Sequence, residues 1–155
     1  LGSSRQNVIF TLCLQINCLR EMRALDRAEK VARDTVSRAE IEIGPHHRFL
    51  GDALLALAEV LWDRKNKAEA EHYMRAAIAH ELALDGRDGG FYGSNLLVFA
   101  GWLDAEERIA EAYAAIREVR EIAVTSDAFS DEGLAEIKKR YSSIRKKIKQ
   151  SIRLV

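Results

Sequence analysis

Residues 54–78 read LLALAEVLWDRKNKAEAEHYMRAAI, and the spacing of their apolar side chains decides the fold. Leu54, Leu57, Ala58 and Leu61 fall at steps of three and four, which gathers them on one face of a helix. A polar turn from Lys65 to Lys67 interrupts the pattern. Ala70, Tyr73, Met74, Ala77 and Ile78 then make a second stripe at the same steps. Two helices with one apolar face each, joined by a few residues, predict an antiparallel hairpin whose alanines allow close approach. Neither stripe can be fully buried within one hairpin, so hairpins must stack.

The stack is visible as a period. Leu12, Leu54 and Leu96 are each 42 residues apart, as are Leu19, Leu61 and Leu103. Ala28, Ala70 and Ala112 keep the same interval, and so do Gly44 and Gly86, each of which ends a helical pattern. The third unit repeats the second with Leu96, Phe99, Ala100 and Leu103, followed by Ala112, Ile116 and Val119. The first unit is degenerate, with Ile16 where a small residue belongs and Thr35 where alanine is usual. Helices are expected near 5–22, 25–43, 48–64, 67–84, 91–104, 106–124 and 131–153.

Large residue, three-residue step, large then small, large, and a later alanine resembles the tetratricopeptide (TPR) repeat. The period is similar to the 42-residue variety of the kinesin light chains, and Ile43-Gly44-Pro45-His46-His47 resembles that family's Leu-Gly-Pro-Asp-His-Pro linker. The resemblance covers roughly residues 9 to 125. It implies an all-α, α-α superhelix of three TPR-like hairpins in residues 1–125 (about 5–43, 48–84 and 91–124). Residues 126–155 would add a basic C-terminal capping helix.

That last helix starts well, with Ser130 as capping hydroxyl and Asp131 and Glu132 in the first turn. Ile137, Tyr141, Ile144, Ile148 and Val155 form its apolar stripe, with Ile152 one position off. Lys138 and Arg145 stand where a fourth repeat would place its leucines, so the repeat is expected to stop there. The chain has 24 basic and 24 acidic residues, but 8 basic and no acidic residues lie from Lys138 onward. The charge is therefore split, about −8 before that point and about +8 after it.

Several chemistries find no support. His46 and His47 are adjacent, and His72 and His80 are two helical turns, about 12 Å, apart, so neither pair can chelate one ion. The loop from Asp85 to Gly93 lacks the Gly-Lys-Ser/Thr ending of a phosphate loop, and Arg87 stands where a calcium loop needs an acid. Cys13 and Cys18 are five apart on an apolar helix and fit neither a disulfide framework nor a nucleophile with its base. No catalytic residue, cofactor or metal is expected. The stretch from Val8 to Leu19 is too short to span a bilayer and lacks the marks of a signal peptide, so a cytoplasmic setting is expected for what reads as part of a longer protein.

In tetratricopeptide arrays the first helix of each pair lines a concave groove that holds a partner segment. By position the resemblance implies Asn17 and Arg20, beside Phe10, Cys13 and Glu21, in the first unit. It implies Asp52, Leu55, Glu59, Trp62 and Asp63 in the second, and Ser94, Leu97 and Asp104, beside Gly101, in the third. This acidic surface suggests a protein or peptide ligand with basic residues and an apolar anchor. On that basis, reversing Glu59 and Asp63 to lysine should weaken binding without unfolding the array. An alternative is an anionic surface or nucleic acid held by Lys138, Lys139, Arg145, Lys146 and Lys149, although only Tyr141 is interleaved for base stacking, which disfavours nucleic acid. A third is self-association through Val8, Ile9, Leu12 and Ile16 of the first helix, which would make a homo-oligomer.

Overall fold

The computed structural model describes residues 2–127 and 129–153, and among them every regular element is a helix. The order is α1 (Gly2–Glu21), α2 (Leu25–Glu42), α3 (Arg48–Asp63), α4 (Lys67–Asp85), α5 (Gly90–Ala105), α6 (Ile109–Thr125) and α7 (Asp131–Arg153). Val155 of the expected stripe, and the side chains of Ile152 and Arg153, lie outside the described residues.

The period is written into the backbone. Arg23, Lys65 and Glu107, 42 residues apart, all adopt positive φ, at 58°, 69° and 59°. Each stands in the turn between the two helices of a hairpin. The residue after each turns its N–H back to a leucine carbonyl: Ala24 to Leu19, Asn66 to Leu61 and Arg108 to Leu103, all at 2.9 Å. A left-handed residue costs an L-amino acid about 1–2 kcal/mol. Three different side chains accept that cost at one place, because the turn must reverse the chain within a few residues. Gly44 and Gly86 close the second helix of their hairpins at φ 83° and 72°, where glycine carries no such penalty.

The core follows the columns. Ala28, Ala70 and Ala112 are fully buried, as are Ala32, Met74 and Ile116. These small-to-medium side chains set how closely the second helix can lie against its neighbours.

The chain divides into two compact units, one up to Leu84 and one from Asp85 on. The glycine-rich segment after Asp85 was legible as a linker, but its role as a boundary was not. In the first unit α1 packs on α2, and α3 packs on both. Its α4 returns along α3, placing Glu81 and His80 over Gly51, while His80 Nε2 meets the His47 carbonyl at 3.0 Å. Ile9 and Ile16 are fully buried in this unit and Leu12 is half-buried, so of the proposed self-association surface only Val8 is exposed. The reason is that α1 already has two helices to pack against.

In the second unit α5 packs on α6, and α7 packs on α6 and along α5. The third hairpin and the C-terminal helix thus form one body. Ile137 and Ile144 of α7 are buried, and Tyr141 and Ile148 are half-buried. Tyr92 packs inward at the start of α5, whereas Phe91 stays exposed. The Phe129 ring lies against Gly93, where a side chain would collide with it.

Candidate partner-binding surfaces

Contacts between α1 and α3 recur at fixed offsets. Phe10 meets Phe49, 39 residues on, with ring centroids 5.7 Å apart. Arg20 bonds Glu59 at the same offset and Asp63 at 43 residues, the latter at 3.1 Å. A near-constant positive offset means that the two helices run in the same direction, as first helices of successive hairpins must. The structure therefore places the expected first- and second-unit positions side by side.

It also changes their character. Glu59 and Asp63 are expected to offer an acidic surface to a ligand, yet one guanidinium, that of Arg20, clamps both, each of the three side chains being less than 26% exposed. Burial pushes the Glu59 carboxyl above its usual range, Arg20 opposes this, and Asp63 adds to it. Cys13, expected to face the groove, is buried: its thiol is pushed up to about 12 by burial and by the nearby Asp52 carboxylate. The first-helix rows close on each other at that point.

Asp52 is different. It is half-buried and makes no hydrogen bond or ion pair among the described residues. Burial pushes its carboxyl up, only partly offset by Arg48, His47 and His80. Phe49 lies one turn before it on α3 and carries the Phe10 contact, and Phe10 is itself 46% exposed. An aromatic pair with a charge-hungry carboxylate beside it is the most ligand-ready feature of this unit. Asn17 is exposed, and Leu55 and Trp62 are half-buried, the Lys67 ammonium lying 5.3 Å from the Trp62 ring centre.

In the compact unit from Asp85 on, the third-repeat positions Ser94, Leu97 and Asp104 are half-buried on α5. Asp104 is taken by Lys147 of α7 at 2.6 Å, and the Arg140 guanidinium covers Gly101. The α5 positions near that end are thus occupied by α7. The basic residues of α7 singled out from sequence, Lys138, Lys139, Arg145, Lys146 and Lys149, are all exposed, and none of them forms an ion pair among the described residues.

Sequence reasoning missed the Arg20 clamp and the Phe49 partner of Phe10. Both follow from pairing each first helix with the next at offsets of 39 and 43, a rule the 42-residue columns contain but do not display. No group of three or more His, Cys, Asp or Glu side chains among the described residues is arranged to hold a metal ion, and no described helix is long and apolar enough to cross a membrane. No protein-family model matches this chain, and no curated protein matches it.

Proposed function

We propose that the chain is a protein-interaction module of tetratricopeptide type, the scaffold or adaptor portion of a larger protein, without catalytic activity of its own. Hairpins repeating every 42 residues with the same left-handed turn support the family reading. The observation that carries the functional reading is Asp52, a half-buried carboxylate with no ion-pair partner beside the Phe10–Phe49 pair. A partner segment would place a lysine or arginine at Asp52 and an apolar residue on the two rings. The cation recovers the solvation that burial costs the carboxylate, and the rings supply apolar contact. Free thiols at Cys13 and Cys18 fit a reducing, cytoplasmic setting.

The test is a positional-scanning peptide array probed with the wild-type chain, Asp52→Asn and Phe10→Ala. Wild type should select a basic residue next to an apolar one. Asp52→Asn should lose the basic preference, with roughly tenfold weaker binding of the selected peptides. If Asp52→Asn retains the wild-type selection, this surface is not the binding face.

A further inference from the structure

The face shared by α6 and α7 holds a second cluster that the peptide-binding reading does not use. Tyr113 and Tyr141 meet across the two helices, with ring centroids 5.8 Å apart and hydroxyl oxygens 3.3 Å apart. The Arg120 guanidinium lies over the Tyr141 ring, 4.5 Å from its centre. Arg117 follows Tyr113 by one helical turn, and Arg145 follows Tyr141 by one. Arg117 leans toward Glu121 at 3.7 Å. Neither Arg120 nor Arg145 reaches a carboxylate among the described residues, and both are exposed. Lys138 and Lys149 extend the row along α7, in step with Tyr141 and Arg145.

We propose that this face docks a phosphorylated side chain of a protein partner, with the phosphate monoester held by Arg120 and Arg145 and accepting a hydrogen bond from the Tyr141 hydroxyl. Two guanidiniums that reach no carboxylate among the described residues match the two negative charges of a monoester, where a carboxylate would bring one, and their flat donor edges suit phosphate oxygens. The hydroxyl pair adds direction. The Tyr113 bond holds Tyr141 below the usual tyrosine range, with Arg120 and Arg145 adding to it, while the same bond raises Tyr113. Either hydroxyl can donate in that bond, so Tyr113 can take the donor role and leave the Tyr141 proton for an anion.

Other polyanions fit less well. Nucleic acid binding needs an open aromatic face for base stacking, and the Tyr141 ring is already covered by Arg120 and flanked by Tyr113. Ile137 and Ile144 are buried, so among the described residues α7 presents no broad apolar face for entering a bilayer. A free phosphate metabolite would keep most of its surface in water on so open a face. A phosphorylated segment gains further contacts along the Lys138–Lys149 row, about 17 Å long.

The experiment titrates the full chain into a fluorescein-labelled peptide of glycine and serine with one central phosphoserine, and into its unphosphorylated twin. The phosphorylated form should bind at least about tenfold more tightly. Arg120→Gln with Arg145→Gln should abolish that difference, whereas Arg27→Gln with Lys30→Gln, which removes the same charge from α2, should preserve it. An equal loss in both double variants would reduce the effect to general charge attraction and overturn the site. So would binding to phosphatidylcholine vesicles containing phosphatidylinositol phosphate without binding to the peptide. As a readout in the unmutated protein, saturating phosphopeptide should raise the ionisation midpoint of Tyr141, followed by ultraviolet difference absorbance against Tyr141→Phe. An unmoved midpoint overturns the proposal equally.

Discussion

The Asp104 carboxylate on α5 holds the Lys147 ammonium on α7 at 2.6 Å across 43 residues. Arg20 and Asp63 stand at the same interval on α1 and α3, with the charges exchanged. Gly101 and Arg140 likewise repeat the 39-residue interval of Arg20 and Glu59. By these offsets α7 sits on α5 as α3 sits on α1, in the place of a fourth first helix. Its buried residues fit that place: Ile137 and Ile144 fall in the columns of the buried Ala53 and Val60. Lys138 and Arg145 fall in the columns of Leu54 and Leu61 and are exposed. The helix keeps two of the buried columns of α3 and has made two others polar.

The Asp104–Lys147 pair is partly exposed, at 23% and 44%. Its coupling in a double-mutant cycle with Asp104→Ala and Lys147→Ala should be about 0.5 kcal/mol by urea unfolding. Exchanging the two residues should restore most of the loss in either single variant. Zero coupling would mean that α7 is positioned without help from this pair, through contacts such as buried Ile137 and Ile144 and the Tyr113–Tyr141 pair.

Two glycines facing side chains should respond differently to alanine. A Cβ on Gly51 would stand 2.1 Å from Glu81 Oε1 and 2.9 Å from His80 Cδ2, and Glu81 is buried. The collision forces a buried carboxylate to move, so Gly51→Ala should destabilise the first unit by about 1–3 kcal/mol despite better helix propensity. A Cβ on Gly101 would stand 2.0 Å from Arg140 Nη1 and 3.1 Å from its Cζ, at the far end of a flexible side chain. Arg140 can swing aside, so Gly101→Ala should be near neutral, within about 1 kcal/mol. Thermal unfolding of the two variants decides it, and equal losses would contradict the distinction.

The repeat was legible because stacking hairpins demand apolar and small residues at fixed columns, and Leu19, Leu61, Leu103 and the three alanines obey that demand. The matching turn was not legible. Arg23, Lys65 and Glu107 share a backbone conformation and no side-chain chemistry, so only φ reveals the column. The acidic groove was half legible. Positions placed Asp52, Glu59 and Asp63 on one face, but charge pairing depends on which neighbour reaches across, and Arg20 reaches two of the three. The earlier expectation for Glu59 and Asp63 changes accordingly. Reversing both would leave Arg20 among like charges between α1 and α3, so lost stability would accompany lost binding.

The two thiols should separate under alkylation. Cys18 is exposed, whereas Cys13 is buried with its thiol pushed up to about 12 by burial and by Asp52. Thiolate is the reacting form, so iodoacetamide on the native chain at mildly alkaline pH should modify Cys18 alone. Intact-mass analysis should show one adduct, and a second only after denaturant is added. Rapid double labelling of the native chain would show that α1 opens away from α3.

Asp52 should leave a pH signature on stability. Its folded-state carboxyl lies above the usual aspartate range, chiefly because it is buried. A carboxyl raised on folding favours the protonated form in the native state. Its contribution to stability is therefore fully present below the unfolded-state range, near 4, and is lost as pH rises through the folded value. At neutral pH the ionised group costs stability that asparagine would not. Asp52→Asn should accordingly be more stable than wild type at pH 7, and the gap should shrink toward zero as pH falls below about 4. Urea midpoints across that range are the measurement. A bound basic peptide should close the same gap at pH 7 by pairing the carboxylate, stabilising wild type more than the variant. If the gap persists unchanged in acid, burial of the charged form is not its cause, and the case for a cation at this position loses its physical basis.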